Sequence, residues 1–248
     1  MSRSLELIAV SGLPEVRAAD DLAALIARQA PLADGDVVAV AQKVVSKAEG
    51  RRVRLADVAP GERARELAEA LDKDPALVEL VLRESRRVVR SERVLIVETN
   101  GGLVCANAGI DSSNVGAEGE VMLLPEDPDA SARRLRAGIA AVTGLRVAVV
   151  VTDSFGRPWR VGQTEVAIGC AGIDPLDDWR GRRDRDGREL AATEVALADE
   201  IAAASDLPRD KDSGIPVVIV RGLGDRVSDG DGPGAAALRR AEADDLFR

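Results

Sequence analysis

Histidine and tyrosine are absent from this chain of 248 residues, and aromatic side chains make up only 2% of it. The lack of histidine excludes Ser-His-Asp catalysis, Cys-His catalysis and every metal site with imidazole ligands. Carboxylates, hydroxyls, lysine, arginine and the backbone remain to carry any chemistry. A bound metal ion would have oxygen ligands, which favours Mg²⁺ or Mn²⁺ over zinc or copper.

Cysteines, long apolar runs and standard phosphate loops are also scarce or missing. Cys105 and Cys170 provide neither a disulfide framework nor the spacing of a zinc site. No apolar run approaches the roughly 18 residues of a membrane span, and the N-terminus lacks the apolar core of a signal peptide. We therefore expect a cytoplasmic protein without membrane partners. Neither GxGxxG nor GxxxxGK followed by Ser or Thr occurs, which disfavours a Rossmann or P-loop nucleotide site.

Net charge and hydrophobic content limit the class of protein further. The formal net charge is −9, and nucleic-acid partners are not expected because their binding requires basic surfaces. A hydrophobic fraction of 46% with 31% charged residues is typical of a globular protein. The length fits one large domain or two small ones. No low-complexity linker divides the chain, so we predict a single domain over residues 1–248.

Apolar runs of strand length are interspersed with segments of helical periodicity. The runs at 147–151 and 216–220 are continuous and β-branched, as in strands buried on both faces. Further strands are predicted at 5–10, 36–41, 94–97 and 103–106. Helices are predicted at 20–29, 63–71, 75–86, 130–142 and 189–204. This mixture favours an α/β or α+β fold.

Two acidic residues follow apolar runs in distant parts of the chain. Asp111 lies within "NAGIDSSNVG", a stretch of small, turn-forming residues, and Asp153 lies in "TDS" after the buried run at 147–151. Open α/β sheets bind ligands at such strand ends. Two acids and the Ser154 hydroxyl could hold a divalent ion against phosphate oxygens. Helix or turn caps would produce the same pattern.

Basic residues accompany these acids. Lys43 and Lys47 occupy a polar turn after the run at 36–41, where a lysine either reaches a phosphate or lies on the surface. Arg157 and Arg160 follow the "TDS" segment and are candidates for holding substrate carboxylates.

Eight segments together resemble a known family. In chain order they read GLPEV, KVVSKAEGR, NAGIDSSNVG, LLPEDPDASA, VVTDSFGRPWRVGQTEVAIG, DPLDDWRGRRDRDGREL, VALADEIAAASDL and GIPVVIVRGL. This series resembles coenzyme F420:L-glutamate ligases from about Leu7 to about Leu223, and it is most similar to the N-terminal ligase domain of the bifunctional actinobacterial enzyme. The C-terminal flavin-binding domain of that enzyme is not predicted here.

The resemblance implies an unusual α+β fold of mixed sheets with flanking helices, assembled as an intertwined homodimer. It implies a GTP-dependent ligase that adds L-glutamate to coenzyme F420-0, first by an amide and then by γ-glutamyl links, through an acyl phosphate. Two divalent ions, Mg²⁺ or Mn²⁺, are implied, and a role for K⁺ is left open. Asp111 and Asp153 are then metal ligands, and Ser154 binds the second ion.

The resemblance also assigns Lys47, with Asp111 and Asp153, to catalysis. GTP contacts are implied at ten positions: Leu13, Pro14, Glu15, Val16, Gln42, Lys47, Asn114, Arg209, Asp210 and Lys211.

This chain departs from the family pattern at several positions. Ser154 stands where many relatives have Thr, and Ala41 removes a hydroxyl that relatives often have. Pro208 and Asp210 alter a loop in which relatives usually have glycine at the second position. Two other functions stay open: a metal-dependent phosphotransferase with another acceptor, and a nucleotide-binding domain without catalysis.

Overall fold

The computed structural model describes residues 4–111, 119–210 and 213–245, and helices and strands follow one another there in mixed order. The helices are α1 (Leu22–Gln29), α2 (Gln42–Ala48), α3 (Glu62–Leu71), α4 (Pro75–Arg83), α5 (Pro128–Thr143) and α6 (Leu197–Asp206). The strands are β1 (Glu6–Ala9), β2 (Val37–Ala41), β3 (Arg52–Arg54), β4 (Ser85–Arg90), β5 (Ile96–Thr99), β6 (Val104–Ala106), β7 (Glu120–Met122), β8 (Ala148–Arg157), β9 (Arg160–Ala171), β10 (Asp177–Asp178), β11 (Glu194–Val195) and β12 (Val217–Arg221). The predicted α+β class is confirmed.

A five-stranded sheet in the order β1-β12-β2-β8-β9 forms the centre of the molecule. β2 and β8 are parallel, and the other neighbours are antiparallel. The β-branched runs predicted as doubly buried strands form the interior of β8 and β12. α1 and α5 cover one face, where Ile26 and Ile139 join the first core, and α6 covers the other, where Ile201 joins the second core.

Smaller sheets flank this centre. β4, β5 and β6 form a three-stranded antiparallel sheet, and β3 pairs with β7. α3 and α4 pack against the three-stranded sheet through a third core that includes Ala64, Val78 and Val97. This unit leads directly into the segment that carries Asp111.

Helix ends follow the expected capping chemistry. The Asp21 carboxylate accepts a hydrogen bond from the Ala24 N–H at 2.9 Å, and Asp74 caps α4 ahead of Pro75. Gly144 ends α5 with φ of 72°, a left-handed conformation that favours glycine. In the ranges covered by the structure, none of the helices has the length and apolar character needed to cross a membrane.

Several predicted boundaries were wrong. The chain does not leave the sheet after residue 151, because β8 continues to Arg157 and forms a long hairpin with the unpredicted β9. The segment predicted as a polar turn that carries Lys43 and Lys47 is the helix α2. α6 begins at Leu197 rather than at 189, and the helix predicted at 75–86 ends at Arg83 because Ser85 starts β4.

Candidate active site beside the central sheet

Neighbouring strands bring distant polar residues together. Ala41, the last residue of β2, pairs with Thr152 of β8, and α2 begins directly after it at Gln42. Asp111 is held by an antiparallel bridge to Met122, in which its N–H donates to the Met122 carbonyl at 3.0 Å. The Lys43 ammonium lies 2.6 Å from Asp111 Oδ2. The two segments that sequence spacing left unrelated therefore meet at this side of the sheet.

Asp153 lies in an environment that opposes its ionisation. The pKa of its carboxyl is raised from 3.8 to about 7, chiefly by burial and then by the charges of Glu165 and Asp111, against the opposing effects of a backbone hydrogen bond from Ser154 and of the Lys43 charge. The two acids predicted as metal ligands are thus close enough to repel each other. A cation bound between them would relieve this repulsion and stabilise both charged forms.

The side chains of Asp153 and Ser154 project from opposite faces of β8. Side chains alternate along a strand, and Val151 belongs to the first core whereas Val150 belongs to the second. By the same alternation, Asp153 continues the face of the first core and Ser154 that of the second. Ser154 lies directly opposite Glu165 on β9, and its hydroxyl donates a hydrogen bond to Glu165 Oε1.

Arg209 connects three strands on the face of Ser154. Its guanidinium donates to Thr152 Oγ1 and to the Ala39 carbonyl, both at 3.2 Å, and lies 3.7 Å from Glu165 Oε2. Burial lowers the pKa of Arg209, and Glu165 opposes this shift. The guanidinium of Arg209, a predicted GTP contact, is therefore engaged with the sheet, while the neighbouring Asp210 is exposed.

The predicted nucleotide contacts near the N-terminus converge on α2. Lys47 Nζ lies 2.5 Å from Glu15 Oε1, and the Lys47 side chain is only 13% exposed whereas Glu15 is 70% exposed. Val16 is buried in the first core and Leu13 packs against that core, whereas Pro14 is exposed. Any contact of Val16 with a nucleotide would therefore be made by its backbone.

Gln42 provides an unusual buried amide. Its side chain is 2% exposed, and its Oε1 accepts a hydrogen bond from the Ser46 hydroxyl at 2.9 Å. Its Nε2 is buried, and no group among the described residues forms a hydrogen bond with it. Such a donor is costly to leave unpaired, and a ligand oxygen would satisfy it.

Other predicted residues are not brought to this place. Arg157 lies at the exposed end of the β8–β9 hairpin, where its Nη2 donates to the Val161 carbonyl at 2.7 Å. Arg157 lies four positions after Asp153 along the extended strand, a distance of about 13 Å. Arg160 is exposed on the same hairpin. Asn114 and Lys211 lie outside the described residues.

Sequence reasoning missed Glu165 and the position of Lys43 against Asp111. Glu165 is a buried acid in a strand whose other residues from 166 to 171 are apolar or small, and that contrast was the available signal. Lys43 and Lys47 lie one turn apart on α2, and they pair with different acids, Asp111 and Glu15. A sequence interpretation that placed both lysines in a turn could not assign these partners.

The carboxylates of Asp111 and Asp153 can supply some of the oxygen ligands of a divalent ion such as Mg²⁺. Over residues 4–111, 119–210 and 213–245, no three Cys, Asp or Glu side chains are arranged to hold a metal ion. Asp111 and Asp153 nevertheless supply carboxylate oxygens whose repulsion a cation would relieve. Mg²⁺ is commonly held by one or two carboxylates together with water and phosphate oxygens. These residues therefore fit an ion shared with a phosphate ligand.

Comparisons with known proteins identify the family of this chain. The family model for F420-0:gamma-glutamyl ligase matches residues 12–222. The chain is 48% identical over 251 residues to the coenzyme F420:L-glutamate ligase of Halobacterium salinarum, which covers 98% of this chain and 96% of that protein. The proteins of the same name from Methanopyrus kandleri and Methanothermobacter thermautotrophicus are 48% and 44% identical; the alignments cover 94% and 98% of this chain and 94% and 99% of those proteins. The chain belongs to the F420-0:gamma-glutamyl ligase family.

Proposed function

We propose that this protein is a GTP-dependent ligase that adds L-glutamate to coenzyme F420-0, first by an amide bond and then by γ-glutamyl links. Family membership and the names of the relatives support the substrates. The observation that carries the chemistry is the meeting of Asp111 and Asp153 beside Lys43 and the unpaired amide of Gln42. This arrangement suits a triphosphate with bound metal better than it suits a neutral ligand.

The reaction requires activation of a carboxylate, which is a poor acyl donor. A carboxylate oxygen of F420-0 attacks the γ-phosphorus of GTP, and GDP leaves. The glutamate amine then attacks the acyl carbon, and phosphate leaves with one oxygen of the original carboxylate. Divalent ions, when bound, would neutralise charge on the β- and γ-phosphates.

The residues of this chain have separate tasks in the proposal. Asp111 and Asp153 hold one divalent ion, Mg²⁺ or Mn²⁺, and Ser154 on the opposite face of β8 contributes to a second. The Nε2 of Gln42 donates to a nucleotide oxygen, and the Lys47 ammonium approaches the phosphates.

The remaining parts of the proposal rest on the family resemblance. Nucleotide contacts are retained for the segment Leu13–Val16 and for Asn114, Asp210 and Lys211. Arg209 is retained through its position next to Asp210 rather than through its guanidinium, which contacts the sheet. K⁺ is retained as a further cation without assigned ligands.

We also propose that the protein is a homodimer. At the tip of the β8–β9 hairpin, Trp159 is 79% exposed and Val161 is 95% exposed. Exposed tryptophan is a common anchor of protein interfaces, and the chain has only two tryptophans. A second copy that covers this hairpin would bury both side chains.

Mass spectrometry of the deazaflavin tests the function. Purified protein is incubated with F420-0, GTP, Mn²⁺ and L-glutamate, and the product is expected to gain one glutamyl unit or more while GDP and phosphate are released. Parallel reactions omit glutamate or replace GTP with ATP. Phosphate release that needs another acceptor would favour a different phosphotransferase, and nucleotide binding without turnover would favour a non-catalytic domain.

A further inference from the structure

A polar cavity of about 280 Å³ has no task in the chemistry above. One wall is the turn between β5 and β6, from Thr99 to Leu103, and another is the segment from Leu124 to Pro128 that leads into α5. Pockets for drug-sized ligands measure roughly 300–1,000 Å³. The cavity is slightly smaller than that range, which suits an amino acid better than the much larger deazaflavin.

The cavity adjoins the segment that carries Asp111. Ala108 lines the cavity and lies three positions before Asp111. Leu124 also lines it, two positions after Met122, whose carbonyl accepts the hydrogen bond from the Asp111 N–H at 3.0 Å. A Cβ placed on Gly109 would lie 2.6 Å from Leu124 Cδ1, so these two walls are in close contact. Since two residues of chain span at most about 7 Å, the cavity lies beside the proposed phosphate site.

Arg239 supplies the cavity with a cation that has spare donors. Its Nη1 donates to the Gly101 carbonyl, whereas its Nε is buried and no group among the described residues forms a hydrogen bond with it. The Nε–H and the neighbouring Nη2–H of an arginine form the fork that binds both oxygens of a carboxylate. A buried donor is costly to leave unpaired, and a ligand carboxylate would satisfy this one.

The backbone on both sides of Arg239 is anchored. On one side, the Ala235 N–H donates to Asp129 Oδ1 of α5 at 2.7 Å. On the other side, Glu242 Oε1 lies 3.3 Å from Arg87 Nη2 of β4. The guanidinium is therefore held between the central sheet and the three-stranded sheet before any ligand binds.

Arg51 holds two acids at the same cavity. Its Nη2 donates to Glu84 Oε2 at 2.8 Å, its Nη1 to Glu126 Oε1 at 3.0 Å and its Nε to the Leu124 carbonyl at 2.9 Å. Each carboxylate has a second oxygen that can accept a hydrogen bond from a ligand ammonium. Glu84 is the less exposed of the two acids, at 28% against 81% for Glu126, and its interactions are less weakened by water. The cavity thus offers groups for both charges of an amino acid.

We propose that this cavity binds L-glutamate, the amine donor: Arg239 receives one of its carboxylates and Glu84 receives its ammonium group. The inference rests on the proposed ligase function and names the place of its amino-acid substrate. Arg51 contacts no substrate and orients Glu84.

Kinetics and binding measured on the same variants test this inference. The KM of each substrate is determined for the wild type and for Arg239→Gln, and binding of radiolabelled L-glutamate is measured by equilibrium dialysis with GDP and Mn²⁺. Arg239→Gln should weaken glutamate binding and raise its KM about 10- to 100-fold, the loss expected for charged hydrogen bonds. The KM values of GTP and F420-0 should not change.

A ligand without the ammonium group tests the role of Glu84. Glutarate has both carboxylates of glutamate and no amine. It should compete with labelled glutamate about 10-fold less well than unlabelled glutamate does, and Glu84→Gln should reduce this difference. Equal competition by glutarate and glutamate would contradict the assignment of the ammonium to Glu84.

Two control variants separate recognition from loss of stability. Arg240 is the exposed neighbour of Arg239, so Arg240→Gln should leave the Tm and every KM unchanged. Arg239→Lys keeps the positive charge without the planar fork and should retain part of the glutamate affinity. If Arg239→Gln does not fold, Arg239→Lys gives the same test with a smaller effect.

Three outcomes would overturn the inference and leave the ligase function standing. These are unchanged glutamate binding in folded Arg239→Gln, a rise in the KM of F420-0 alone, and equal rises for all three substrates together with a lower Tm. The second would assign the cavity to the acceptor carboxylate, and the third would make Arg239 structural. Failure of the wild type to form a glutamyl product would instead contradict the proposed function, whatever glutamate binding shows.

Discussion

The metal-free protein should become more stable when Asp153 is replaced by asparagine. The pKa of Asp153 is about 7 in the folded state against an ordinary value of 3.8. Between these values the folded protein keeps a proton that the unfolded chain has released, so the free energy of unfolding falls as pH rises. The stability lost by the wild type between pH 5 and pH 8 is about 2–3 kcal/mol, from 1.36 kcal/mol per pKa unit. Asparagine has no charge to bury and avoids this loss.

Thermal unfolding with a chelator present measures the effect. The advantage of Asp153→Asn over the wild type should grow between pH 5 and pH 8 by roughly 5–10 °C in Tm, at 2–4 °C per kcal/mol for a chain of this size. Mn²⁺ should stabilise the wild type and not the variant, and the variant should lose roughly 10²-fold or more in ligase rate.

Asp177→Asn is the matched control with the opposite sign. A hydrogen bond from Arg226 lowers the pKa of Asp177, so its contribution to stability is present above the ordinary pKa and is lost as pH falls. Asp177→Asn should therefore be less stable than the wild type at pH 8, with a smaller difference in acid. If the Tm of Asp153→Asn instead ran parallel to that of the wild type at all pH values, the pKa of Asp153 would not be raised by burial and repulsion.

Three further predictions concern the nucleotide, the interface and the packing. Lys47→Ala should weaken GTP binding by about 1–3 kcal/mol in calorimetry, as for charged hydrogen bonds; a larger loss for Lys43→Ala would move the phosphate site along α2. In light scattering at micromolar concentration we expect a dimer, and Trp159→Ser should shift it towards monomer; a monomeric wild type would contradict the proposed interface. Gly169→Ala should unfold at lower temperature, because its Cβ would lie 2.3 Å from the backbone of Pro128, and overpacking of this kind costs about 1–3 kcal/mol or more; an unchanged Tm would contradict the close approach of α5 to β9.

The interior of the central sheet was predictable because its strands are buried on both faces. Continuous apolar runs such as 147–151 have one simple interpretation, and the structure confirms it as part of β8. The outer half of the β8–β9 hairpin was not predictable by that reasoning. Its residues from 156 to 163 are exposed and polar or small apart from Trp159 and Val161, so they lack the alternation that marks a strand.

Only part of the candidate site could be predicted from the sequence. Asp111 and Asp153 each had a local signal, but nothing in their separation along the chain indicates that β6, β7 and β8 bring them together; the family resemblance supplied that expectation. Glu165 was missed because a lone acid in a strand gives no sign of its partners. Its partners are Ser154, which lies opposite it on β8, and Arg209, which follows α6 and reaches the sheet through its guanidinium.

Transfer of ¹⁸O tests the central claim most directly. F420-0 labelled with ¹⁸O in its carboxyl group is incubated with GTP, Mn²⁺ and L-glutamate, and the released phosphate is analysed by mass spectrometry. An acyl phosphate requires one carboxyl oxygen to leave with each phosphate, so we predict one ¹⁸O in phosphate for each amide bond formed at the labelled carboxyl. Amide formation with unlabelled phosphate would contradict GTP-driven activation of the carboxylate.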